Sequence, residues 1–121
     1  VVGVDALQAV GDPVRRRLVE LLAAGPRSAG ELSRVVGDEF GITQPAASRH
    51  LRLLRESEVV ASRVAGTSRV YSLNPAAFDG IADWAARMSA FWEQRLDALE
   101  TELARGAQDR RGAAHSTEEQ R

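Results

Sequence analysis

Ser48 and His50 are the side chains that first suggest chemistry, and both lie in the run TQPAASRHLRLLRE, residues 43–56, with Arg49, Arg52 and Arg55. On a helix, residues two apart diverge by about 200°, so this serine and histidine cannot form a nucleophile–base pair there. The second histidine, His115, stands far along the chain, and there is no cysteine. A nitrogen or sulphur metal site therefore cannot be assembled within one chain, and neither disulfides nor thiol redox chemistry are available. A site made only of carboxylates stays open. No paired carboxylates, triad or glycine-rich phosphate loop points to catalysis, so we expect neither an enzyme nor a cofactor.

The same run read as a helix gives a different chemistry. With Leu51 at zero, Leu54, Ala47, His50, Ala46 and Leu53 fall between about 200° and 360°, an apolar arc in which the histidine is a packed residue. Gln44, Arg55, Ser48, Arg52 and Arg49 fall between about 20° and 160°. That polar arc is contiguous and basic. Glutamine can pair with adenine, arginine with guanine or phosphate, and serine or threonine with either, which is the side-chain set a major-groove reader needs. A solvated face of a core helix is the plainer alternative.

The flanking elements must position that arc. Gly11-Asp12-Pro13 ends a first short helix and caps a second, in which Val14, Leu18, Leu21 and Leu22 form the buried stripe. Gly25-Pro26 stops it. Ser28 and Glu31 form a capping-box pattern for a third helix with Leu32, Val35 and Val36 on its apolar face, and Gly41 ends that element after a loop that includes Asp38 and Glu39. Thr43 caps the quoted helix, with Pro45 in its first turn. Next, VVASRV and SRVYSL flank Ala65-Gly66-Thr67, the pattern of a β-hairpin with Arg63 and Arg69 on its two arms. Asn74-Pro75 starts a last helix. In it Ile81, Trp84, Met88, Phe91, Trp92, Leu96, Leu99 and Leu103 recur at helical spacing to about residue 104. This stripe is too long for one face of so small a domain, so it calls for a partner. Residues 106–121 carry no periodic apolar residues and are expected to form a polar, disordered tail after a domain spanning 1–105.

Composition agrees with one globular domain: 121 residues, 44% hydrophobic and 27% charged. All 16 basic residues are arginine, a bias that GC-rich codon usage also produces. The formal net charge is only -1, yet residues 42–74 hold five arginines and two glutamates, a local +3. No apolar run is long enough for a membrane span, and VVGVDALQAVGD lacks the form of a signal peptide, so a cytoplasmic protein is expected. The only methionine is Met88, so residues before Val1 are expected as well.

Taken together, Asp12-Pro13-Val14-Arg15-Arg16-Arg17-Leu18, Gly30-Glu31-Leu32, Thr43-Gln44-Pro45-Ala46-Ala47-Ser48-Arg49-His50-Leu51 and the run Val59 to Leu73 with Gly66 and Tyr71 resemble the ArsR/SmtB family of dimeric winged helix-turn-helix repressors. The resemblance covers about residues 5–104. It implies a mainly α fold with a small β-hairpin wing, and a helical homodimer built from the first helix, with Leu7, and the last. It also implies a double-stranded DNA operator as partner. By position, Thr43, Gln44, Ser48, Arg49, Arg63 and Arg69 fall at base or phosphate contacts, and the helical arc adds Arg52 and Arg55. The departures are specific. Glu31-Leu32-Ser33-Arg34-Val35-Val36 lacks the cysteine pair of metal-sensing members, and Trp84, Phe91 and Trp92 replace the histidines and acids of others, so no metal site is expected. Glu31 to Gln44 is about one helical turn longer than the usual family spacing. Ser57-Glu58 stands where the family usually places glycine, which implies a non-glycine residue at positive φ. The three aromatics leave open an unknown small organic effector. The rival reading is a winged-helix protein-interaction module that uses the aromatic last helix.

Overall fold

A computed structural model describes the backbone of residues 2–119 and the side chains of residues 6–113. It divides into two units, residues 1–84 and 85–121. The first is a helical body with a three-stranded antiparallel sheet in the order β1-β3-β2.

Helix α1 (Val2–Val10) is followed by α2 (Pro13–Ala23), whose N-terminus Asp12 caps by accepting the N–H groups of Val14 at 2.9 Å and Arg15 at 3.1 Å. Val14, Leu18, Leu21 and Leu22 are all buried, as the spacing predicts. Strand β1 is the pair Arg27–Ser28, and α3 spans Ala29–Phe40. Only half of the expected capping box forms: Ser28 Oγ accepts the Glu31 N–H, while the Glu31 carboxylate turns to Arg27 at 3.3 Å.

Asp38 and Glu39 lie inside α3, not in a loop. The extra turn of sequence is therefore absorbed as helix, ending at Gly41 in the left-handed region with φ 66. Arg17 of α2 fastens this turn with a forked contact to Glu39 at 2.9 and 3.0 Å. That hydrogen bond holds the Glu39 carboxyl below its ordinary value and raises Arg17.

The helix α4 (Gln44–Glu56) buries Ala47, Leu51 and Leu54 against the body. Leu53, expected on the buried side, is 39% exposed because it stands at the outer edge of the apolar arc. The exit from α4 is a Schellman motif: Val59 N–H reaches Leu54 O at 3.0 Å, and Glu58 N–H reaches Arg55 O at 3.1 Å. Glu58 adopts φ 62, as expected of the missing glycine. Asn74 holds the junction from the other side, donating Nδ2 to Glu58 O at 2.8 Å and its N–H to Val59 O at 2.9 Å.

Strands β2 (Val60–Ala65) and β3 (Ser68–Leu73) pair from Val60↔Leu73 to Ala65↔Ser68 around a two-residue turn. Gly66 has φ 63 and Thr67 does not have positive φ, which matches a type II′ hairpin. Strand β1, which the sequence did not suggest, pins β3 to the body through Arg27↔Tyr71 and Ser28↔Val70. Two residues are too few to show a period.

Helix α5 (Pro75–Glu119) begins in the first unit, where Ala77 is buried and Phe78 and Ile81 pack on the core. Ile81 thus belongs in part to its own chain's core, although its spacing had grouped it with a partner-facing stripe. In the second unit Phe91, Trp92, Leu96, Leu99 and Leu103 are 51–70% exposed. Phe91 and Trp92 meet edge to face at 6.4 Å, and Arg95 lies 5.9 Å from the Phe91 ring. The helix continues past residue 105 to Glu119, where the sequence predicts a disordered tail. Alanine, arginine, glutamine and glutamate favour helix without an apolar period, and the two interrupting glycines cost only about 1 kcal/mol each. Residues 120–121 and the side chain of His115 fall outside the described residues.

Candidate nucleic-acid interface

Helix α4 presents its polar arc because Ala47, Leu51 and Leu54 claim the opposite side. Gln44, Ser48, Arg49, Arg52 and Arg55 are all exposed. Thr43 uses its hydroxyl oxygen as the helix cap, accepting Ala46 N–H at 3.3 Å, so it retains its proton and one lone pair to offer outward. Ser48, Arg49, Arg52 and Arg55 line one open recess of about 520 Å³ together with Pro45 and with Tyr71 of the wing. Three guanidinium groups around one concavity have the geometry and charge to hold phosphate. Arg52 is partly engaged by Glu56 at 3.8 Å, an exposed pair worth little.

The wing arginines separate. Side chains alternate along a strand, so Val60, Ser62 and Val64 share a face with their partners Leu73, Tyr71 and Arg69. This is the core-side face at its base, since Val60 and Tyr71 are buried, and Arg69 shares it with Tyr71 without itself lining the recess. Arg69 donates Nη1 to Ser62 Oγ at 2.9 Å, which orients the guanidinium along the strand. Arg63, paired with Val70, lies on the other face. The sequence grouped the two arginines; the ladder puts them back to back.

A residue missed by the sequence reading is Arg34. With Gln44, Asp38, Ser33, Ile42, Gly30 and Gly37 it lines a second recess of about 320 Å³ between α3 and the start of α4. Its signal was present in the spacing, because Gly30, Arg34, Gly37 and Asp38 recur on one exposed face of α3. Among the described residues no group of three or more histidines, cysteines or acids could hold a metal, and no helix is long and apolar enough to cross a membrane.

His50 lies on the back of α4 and is half-buried. Its Nδ1 is 3.2 Å from Arg15 Nη1 and 3.8 Å from Asp12 Oδ2. Burial alone would raise the Asp12 carboxyl. The Arg15 N–H, the charge of His50 when it is protonated, the charge of Arg15 and the Val14 N–H together outweigh that and hold it below its ordinary value.

Comparison with known proteins decides the family. Residues 10–63 match a helix-turn-helix domain model. The chain is 41% identical over 91 residues to the HTH-type transcriptional regulator Rv2034 of Mycobacterium tuberculosis, covering 75% of this chain and 78% of that one. It is 31% identical over 80 residues to the transcriptional repressor SdpR of Bacillus subtilis, covering 66% and 84%. A crystal structure of an ArsR family transcriptional regulator, RHA00566, superposes with a TM-score of 0.64 at 26% identity over 74% of this chain and 88% of that one.

The chain belongs to the ArsR/SmtB family of winged helix-turn-helix transcriptional regulators.

A further structure of this type, of a possible transcriptional regulator for arsenical resistance, is 36% identical with a TM-score of 0.58 and covers 81% and 95%. For an ArsR/SmtB regulator, the wing is the β2–β3 hairpin and the recognition helix is α4. The basic recess is lined by α4 and by Tyr71 of the wing.

Proposed function

We propose that this ArsR/SmtB regulator is a homodimeric repressor that reads an inverted-repeat operator with α4. The observation that carries the reading is the recess in which Ser48, Arg49, Arg52 and Arg55 converge beside the wing. Gln44 and Arg49 read base edges in the major groove, and Thr43, Ser48, Arg52 and Arg55 hold the backbone. Arg69 follows the flanking phosphates from the inner face of the wing, with Arg34 doing the same from α3, while Arg63 contributes general positive charge.

The exposed stripe of Trp92, Leu96, Leu99 and Leu103, with Trp84, Met88 and Phe91, supports pairing with a second copy. Leu7 of α1, which is half-buried, enters that pairing only by the family resemblance. A contiguous apolar face of this length is costly in water unless covered. Two recognition helices related by a twofold axis fit half-sites about 10 bp apart. The aromatic residues of the stripe are also the residues that an organic effector would contact.

Selection of duplexes from a random-sequence pool tests the reading. We expect an enriched inverted repeat with that spacing, bound by a dimer, with affinity that falls steeply with salt as phosphate counterions are released. Enrichment of no sequence, or binding indifferent to salt, would refute it.

A further inference from the structure

We propose that Arg15 is a positioning residue that sets α4 against α1 and α2 through an uncharged His50 ring, so that protonation of this ring weakens DNA binding. The inference rests on the DNA-reading role of α4.

One guanidinium joins three helices. Arg15 Nε donates to Ala9 O at 2.6 Å, and Nη2 reaches Gln8 O at 3.4 Å, so Arg15 closes the C-terminal end of α1. Its Nη1 meets His50 Nδ1 at 3.2 Å, across 35 residues of sequence. Arginine carries donors and no acceptor, so this contact requires a lone pair on Nδ1. As a hydrogen bond, the contact takes an uncharged His50 ring with its proton on Nε2.

The contact constrains α4 in a way its apolar packing does not. Ala47, Leu51 and Leu54 hold the helix by area, which tolerates small rotations and slides, whereas a hydrogen bond fixes a direction. His50 stands on the side of α4 opposite Arg52, so a rotation that it prevents is one that would displace the reading arc.

A proton on Nδ1 removes the acceptor and sets two cations side by side. The charged groups facing His50 are Arg15 of α2 and its cap Asp12; α1 presents the Gln8 and Ala9 carbonyls at this point. No ion pair joins His50 to α3 or the sheet among the described residues. Asp12 already accepts two backbone N–H groups and lies 3.8 Å from the ring, so a protonated imidazole turns away from Arg15 toward Asp12. The helix then exchanges its tie to the Arg15 guanidinium for one to the α2 cap, and the reading arc on its other side turns with it.

The test uses a duplex enriched by the wild-type chain from a random pool, with affinity measured by fluorescence anisotropy at constant ionic strength between about pH 8 and about pH 5.5, the range in which imidazoles titrate. His50→Gln keeps an acceptor for Arg15 but does not titrate. We expect it to bind like wild type at the upper pH. On acidification wild type should lose about tenfold more affinity than the variant, the size of one charge-assisted hydrogen bond. In an Arg15→Ala background, with folding checked by circular dichroism, the difference between histidine and glutamine should vanish. Coincident pH profiles for wild type and His50→Gln would overturn the proposal, as would a difference that survives Arg15→Ala. A pool that yields no preferred duplex would instead overturn the sequence-reading function.

Discussion

Helices α4 and α5 are built on opposite plans. Helix α4 buries its leucines and shows arginine, serine and glutamine to solvent; in the second unit, α5 shows tryptophan, phenylalanine and leucine. A polar surface on an apolar foundation is stable alone and waits for a charged ligand. An apolar surface on an exposed helix is stable only when covered. In the proposed function the two helices divide the work of a repressor, one meeting DNA and the other a second copy of the chain.

The largest expected effect tests the second half of that contrast. Trp92→Glu combined with Leu96→Glu should convert the dimer to a monomer by sedimentation and lower operator affinity by about a hundredfold or more, because two linked half-site contacts become one. A variant that remains dimeric would show that α5 is not the covered face. Gln44→Ala and Arg49→Ala should each cost about 1 to 3 kcal/mol on the selected operator and less on scrambled DNA, measured by competition binding. Equal losses on both duplexes would reduce α4 from a reader to a phosphate clamp.

The wing gives a finer comparison. Arg69→Ala should weaken binding to all sequences and lower the logarithmic salt slope by about 1, whereas Arg63→Ala should change the slope less. Equal slopes would mean that the two faces of the hairpin meet DNA alike. Smaller still, Glu58→Gly should raise stability by up to about 1 kcal/mol in urea denaturation by relieving the left-handed residue. Acid provides the last test. Asp12 and Glu39 are both held below their ordinary values of 3.8 and 4.5, so their contribution is present above those values and is lost as pH falls through the lowered ones. Asp12→Asn should reduce the fall in melting temperature across that acid range.

The reading helix was legible because one short run carries both its period and its chemistry. Val14, Leu18, Leu51 and Leu54 occupy the core positions their spacing assigns, and the caps Asp12, Ser28 and Thr43 accept the backbone N–H groups their positions predict. What could not be read was tertiary or weakly patterned. Arg15 and His50 meet only through folding, β1 is too short to alternate, and Arg34 needs Gln44 beside it to suggest a role. The helical stretch beyond residue 105 follows from propensity alone, a signal that apolar spacing ignores.

Because β1 anchors β3 at Arg27↔Tyr71 and the two-residue turn ties β3 to β2, the wing has its register set from two ends. Deleting a single residue from β2 near its start would leave Arg63↔Val70 and Val64↔Arg69 in place, because the turn fixes those pairs, and would put the mismatch at Val60, where the strand leaves the body. The sidedness of the two wing arginines is thus written in the turn. A change of one residue in the loop at Gly66-Thr67, not in the strand behind it, is what would bring Arg63 onto the face that Arg69 occupies.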